Sequence, residues 1–188
     1  MIGYALCGSF CTHARSLAAL EELLRAGYMV RPIVSETVYA TDTRFGTSAA
    51  LIERLQQMCG REVIHTIRDA EPLGPREKLD LLVIAPCTGN TLAKMCCGIT
   101  DTAVTMAAKA QLRADRPVLV GIATNDALSA NYQNMAELSQ RRHITMLPAE
   151  PDDPRGKPHS LVCRFDLIVP YVRTLIGAAQ DIALPEQM

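Results

Sequence analysis

The chain has no tryptophan, and aromatic residues fill only 4% of its 188 positions. Stacking platforms for single-stranded nucleic acid therefore have little to be built from. Positive charge is not in excess either, since 19 Lys and Arg stand against 20 Asp and Glu, a net charge of -1. A general nucleic-acid binder would show a basic excess or stripe. No apolar run approaches the ~18 residues that a membrane span needs. The opening stretch Met1–Cys7 carries no basic region and is read as a first strand rather than a signal peptide. The seven cysteines are an odd number without a C-x-x-C pair, and no His-x-x-x-His accompanies them. No metal site is expected, and the thiols read as small buried groups in a protein of the reducing cytoplasm. Gly-x-Gly-x-x-Gly and the P-loop are both missing, so an NAD pyrophosphate turn and a nucleotide triphosphate loop are not supported.

What is present is a globular composition, 48% hydrophobic and 21% charged, at a length that predicts one domain over residues 1–188. Short, near-continuous apolar runs fall at Ile2–Cys7, Met29–Val34, Val63–Ile67, Leu81–Ala85, Val118–Ala123 and Ile144–Leu147. Runs of that kind suit strands buried on both faces. Helical patterns lie between them. Leu17, Leu20, Leu23 and Leu24 form a stripe that ends at Arg25-Ala26-Gly27, a basic last turn and a glycine cap. Ala49–Met58 repeats the pattern before Gly60, and Thr102–Ala114, Tyr132–Arg141 and Phe165–Gln180 follow. The alternation predicts an α/β fold, a Rossmann-like parallel sheet with helices on both faces. Ser35–Gly46 and the proline-rich Pro148–Ser160 read as loops, the kind that close over sites.

In such sheets ligands bind beyond the carboxyl ends of the strands. The first such turn is Gly8-Ser9-Phe10, where a glycine and hydroxyls before a helix suit one phosphate. Ser35-Glu36-Thr37 follows the second run, and Thr124-Asn125-Asp126 the fifth. The fourth run leads into Pro86-Cys87-Thr88-Gly89-Asn90-Thr91, small and polar residues suited to a flat polar ligand. Asn90 and Thr91 are equally able to cap the next helix.

Ala85–Lys94, followed by Gly98-Ile99-Thr100-Asp101, resembles the P-A-S-A-N-T type motif of the flavoprotein family, which holds FMN-dependent cysteine decarboxylases and FMN prenyltransferases. The resemblance implies a three-layer sandwich with one FMN per protomer, held near the interface between protomers of a trimer or dodecamer. It extends to Gly8-Ser9 as the phosphate turn, to Ser35 after the second strand and to Asn134 in the penultimate helix. Carried onto this chain, it puts Gly8, Ser9, Phe10, Ser35, Pro86, Cys87, Thr88, Asn90, Thr91 and Asn125 around the cofactor.

Thr43–Gly46, Ala70–Pro75, Thr124–Leu128 and Lys157–Val162 resemble one branch of that family more closely. That branch works with a dehydrogenase-like partner, the A subunit, to oxidise dihydrodipicolinate to dipicolinate, the calcium chelator of the spore core. The resemblance implies a sporulation role in the mother-cell cytoplasm, with NAD(P) on the dehydrogenase-like partner or oxygen as electron acceptor. The decarboxylases carry a His shortly before the motif strand. Here the corresponding stretch reads Asp69–Arg76, and the nearest histidine, His65, lies 21 residues before Pro86 and reads as structural. The competing readings are a decarboxylase that lacks its histidine and a non-catalytic regulatory module. Two substrate carboxylates need cations or oriented N–H groups, and Arg44, Lys94 and Lys157 are the candidates. Arg44 comes first because its planar fork can grip a carboxylate with two parallel bonds.

Overall fold

The computed structural model describes residues 1–182, with side chains through residue 178. Strands β1 (Ile2–Leu6), β2 (Val30–Val34), β3 (Leu81–Cys87) and β4 (Val118–Thr124) form a parallel sheet in the order β2-β1-β3-β4. The direction in which successive strands are added reverses between β1 and β3, the switch point at which such sheets open a crevice. Pairing is in continuous register from Ile2 opposite Val30 to Leu6 opposite Val34, and Ile2 also stands opposite Leu81. Alternate residues serve opposite faces. Tyr4, Leu81 and Val83 face α1 (His13–Arg25), α3 (Ser48–Cys59) and α8 (Ile168–Ile182). Ala5, Leu82 and Ile84 face α4 (Ile67–Ala70), α5 (Gly89–Cys96), α6 (Ala103–Arg113) and α7 (Tyr132–Ser139). Three layers result, as the apolar runs predicted.

Hydroxyl caps set where the helices begin. Thr47, Thr66, Thr88 and Thr102 each accept a hydrogen bond from the backbone N–H three residues on, and so start α3, α4, α5 and α6. Gly60, with φ of 62°, ends α3 in the left-handed conformation that a glycine adopts without strain.

Three expectations are corrected. Val63–Ile67 is not a strand of its own: Ile64 alone bridges Ile33, and Thr66 then caps α4 and turns the chain away. Within Ser35–Gly46, read as a loop without helical period, Ser35 caps a short helix α2 (Glu36–Ala40). The proline-rich Pro148–Ser160 is a hairpin. There β6 (Ala149–Asp153) pairs antiparallel with β7 (Lys157–Cys163) around a turn where Asp153 Oδ1 accepts from the N–H groups of Arg155 and Gly156. Pro151 falls on β6, the exposed outer strand, where a missing N–H is tolerated. The hairpin extends the sheet as an antiparallel addition: Ala123 stands opposite Val162, while the short β5 (Ile144–Met146) pairs in parallel with the first half of β4.

Candidate functional site

The crevice predicted by the strand order is there. A cavity of about 680 Å³ opens at the carboxyl ends of β1, β3 and β4. Its floor comes from Gly8–Cys11 after β1, Thr88–Asn90 after β3 and Ala123–Asp126 at the carboxyl end of β4. Arg44 and Phe45 close one side, and Asp152, Lys157, Ser160 and Val162 of the hairpin close the other. The volume lies within the usual range of about 300–1,000 Å³ for small-molecule and cofactor sites. A smaller chamber of about 290 Å³ adjoins it and shares Phe10, Cys11 and Phe45.

The expected cofactor residues fall into three placements: in the cavity lining, buried beneath it, and, for Ser35 alone, outside the lining. Gly8, Ser9, Phe10, Thr88, Asn90 and Asn125 line the cavity together with Arg44 and Lys157. Pro86, Cys87 and Thr91 are buried below the floor. Thr91 Oγ1 donates to Cys7 Sγ at 3.3 Å, a contact that ties α5 to β1. Ser35 is nearly buried, and its Oγ accepts from Val38 N at 3.3 Å, which leaves its own proton to donate. Glu36, which follows β2, accepts from Ala103 N at 3.0 Å and so serves the start of α6. Lys94 lies outside the cavity lining and pairs with Asp101 at 2.9 Å. His65 also lies outside it and stacks flat on Tyr39, with ring centroids 3.6 Å apart.

The two cations of the cavity differ. Lys157 Nζ lies 2.7 Å from Asp152 Oδ2, and that carboxylate holds the ammonium above its ordinary pKa. Arg44 has no ion pair among the described residues, and its guanidinium rests over the Phe45 ring at 4.9 Å. Arg44 is thus the cation free to meet an anion.

The thiols beneath the floor are poor nucleophiles. Burial pushes Cys7 up to about 11 and Cys163 up to about 12, and drives Cys87 well above the thiol range. A nucleophile or a metal ligand needs the thiolate. Replacing Cys87 with Ser is accordingly expected to preserve ligand binding and most turnover, compared side by side with the parent protein. Complete loss of turnover with ligand still bound would make the thiol a reacting group. Burial lowers the pKa of His13, opposed in part by the bond in which its Nε2 donates to the Cys7 carbonyl at 2.9 Å.

Gly89 and Asp126 stand in strand-end turns that the sequence marked but were not assigned to the site, and Asn131 carried no local signal. Thr124-Asn125-Asp126 was legible as a strand end, yet only Asn125 was drawn into the site. A Cβ built on Gly89 would lie 2.4 Å from Asn131 Nδ2 and 2.8 Å from Asp126 Oδ1, so a larger residue there must displace those side chains.

The strand order, the cavity at the switch point and the small polar turn after β3 define a flavoprotein-type α/β sandwich. Residues 1–171 match the family model described as Flavoprotein, and the chain belongs to that family. It is 45% identical over 167 residues to the B subunit of dipicolinate synthase from Bacillus subtilis (strain 168), a match that covers 89% of this chain and 84% of that protein. The crystal structure of the B subunit of dipicolinate synthase from Bacillus halodurans C is similar with a TM-score of 0.84 at 40% identity, covering 94% of this chain and 90% of that one. Burkholderia xenovorans DmrB in complex with FMN shares the fold, with a TM-score of 0.70 at 19% identity over 95% of this chain and 96% of that one. Among the described residues no helix is long and apolar enough to cross a membrane, and no group of three or more His, Cys, Asp or Glu is placed to hold a metal.

Proposed function

We propose that the chain is the flavin-carrying component of a dipicolinate synthase and oxidises dihydrodipicolinate together with the dehydrogenase-like A subunit during sporulation. The observation that carries this reading is a cavity of cofactor size at the β1/β3 switch point, in a chain 45% identical to the B subunit of such a synthase. The donor set fits FMN. Gly8 and Ser9 would hold the phosphate, because a glycine turn with a hydroxyl lines the cavity, and Ser35, at the adjacent strand end outside the lining, has a hydroxyl proton left to join them. Thr88, Asn90 and Asn125 offer amide and hydroxyl groups to the polar edge of the ring, and Phe10 offers an apolar face. FMN, when bound, supplies the electron-accepting chemistry. The chain's own residues bind, orient and exclude water.

Arg44 would then receive a substrate carboxylate. The hairpin bearing Lys157 and the segment bearing Phe45 would shield the site from solvent. A homo-oligomer, trimer or dodecamer, and a cytoplasmic location in the mother cell belong to the same reading, with NAD(P) on the dehydrogenase-like partner as one electron acceptor.

Purification followed by mass identification of the bound cofactor tests the flavin part. FMN in the yellow protein is the expected result, and a protein that takes up no flavin on reconstitution contradicts it. Ser9→Ala should weaken FMN binding by about 1–3 kcal/mol, the size of a lost charge-assisted hydrogen bond. Equal affinity in both proteins would remove Ser9 from the phosphate site.

A further inference from the structure

The cavity holds a carboxylate that no cation compensates. Asp152 is paired with Lys157, but Asp126 makes no ion pair among the described residues. Asp126 is held by neutral donors instead. Its Oδ1 accepts from Thr124 Oγ1 at 2.5 Å, and its Oδ2 from Asn131 Nδ2 at 2.8 Å. Its backbone carbonyl accepts from the N–H groups of Ser129 and Asn131, each at 3.1 Å. Asn131 is 6% exposed, and its Oδ1 accepts from Asn134 Nδ2 at 2.9 Å. The whole network is built against the first residue of α5: Thr124 Oγ1, Asp126 Oδ1 and Asn131 Nδ2 all lie within 2.8 Å of where a Gly89 Cβ would stand.

Helix capping alone does not account for this arrangement. Thr88 already caps α5 by accepting from Thr91 N at 3.4 Å. A carboxylate with no counter-charge on the wall of a cavity suited to anionic ligands opposes their binding, a cost that the chain retains at Asp126. Gly89 and Asn90, which adjoin the network, line the same cavity.

We propose that Asp126 is a positioning residue: with Thr124 and Asn131 it locks the first turn of α5, so that Asn90 meets the bound flavin in one orientation, and its charge sets how readily that flavin is reduced. The inference rests on the flavin reading above. A fixed negative charge near a redox group disfavours the added electrons. A partner that fixes a binding group lowers the ordering cost of binding.

The test is flavin titration and redox potentiometry on the purified full chain, with the melting temperature followed in parallel. Asp126→Asn keeps the volume and removes the charge: its Oδ1 still accepts from Asn131 Nδ2 and its Nδ2 can donate to the Thr124 hydroxyl, so both side-chain bonds lose their charge assistance. FMN affinity should fall about tenfold, the equivalent of one lost hydrogen bond to a charged group, and the potential of bound FMN should move positive. Gly89→Ala pushes the same network from the other side while keeping the charge. It should lose affinity as strongly with a smaller change of potential. The double variant Asp126→Asn/Asn131→Asp restores an amide–carboxylate pair and should recover most of the affinity. Unchanged affinity and potential in Asp126→Asn overturn the inference. So does a loss of affinity that tracks the melting temperature in all variants and leaves the potential unmoved. If the parent protein takes up no FMN, the flavin reading falls first and this inference falls with it.

Discussion

Arg44→Ala protein, mixed with the dehydrogenase-like A subunit, should turn over dihydrodipicolinate far more slowly than the parent chain while holding the same amount of FMN. Arg44 lines the cavity, is exposed, and has no acidic partner among the described residues. Its guanidinium lies over Phe45 at 4.9 Å, a stacking that orients the fork without consuming its N–H donors. Removing it deletes a charged hydrogen bond to a substrate carboxylate, about 1.5–3 kcal/mol of transition-state stabilisation. Arg44→Lys keeps the charge but not the paired donors, and should fall between the two. Lys157 is the weaker clamp because it must leave Asp152, 2.7 Å away, before meeting a substrate. Normal turnover in Arg44→Ala would make Arg44 a surface residue. A loss of turnover that only follows a loss of FMN would reassign it to the cofactor.

The second large effect is on stability. Ile84 is fully buried in the middle of β3, between β1 and β4, and packs on the face covered by α5 and α6. Ile84→Ala leaves a cavity that strands paired on both sides cannot collapse to fill. About 2–5 kcal/mol should be lost, against a total of about 5–15 kcal/mol for a typical domain. The urea midpoint reports it directly. A shift worth less than about 1 kcal/mol would mean that this layer repacks freely. Because β3 runs straight into Thr88 and Asn90, the same variant should bind FMN more weakly in proportion to its unfolding.

The parts of this molecule that were legible in the sequence are those written in local patterns. The buried strands announce themselves as short apolar runs, and β1 and β4 stand within a residue or so of where the runs put them. Gly60 marks a helix end by its own conformational freedom. The strand-end turns at Gly8-Ser9 and Thr88-Gly89-Asn90 were visible for the same reason. What could not be read depends on partners far away in the chain. Val63–Ile67 has the composition of a strand, but the Thr66 hydroxyl reaches Asp69 N first and starts a helix. The prolines of 148–160 suggested a loop because nothing local shows that β4 offers Ala123 and Thr124 as an edge to pair with. Lys94 looked available to a substrate until folding brought Asp101 to 2.9 Å. The close approach of Asn131 to Gly89, which leaves no room for a side chain unless the network moves, joins segments that no spacing rule connects.

A chain that acts with a dehydrogenase-like partner on a cyclic dicarboxylate should form dipicolinate from dihydrodipicolinate in that partner's presence. The two purified proteins are assayed separately and together, with FMN present and the product identified by mass. Dipicolinate formed by the mixture well above either protein alone, and lost with Arg44→Ala, is the predicted result. A mixture no faster than the dehydrogenase-like partner alone, with FMN demonstrably bound to this chain, would contradict it.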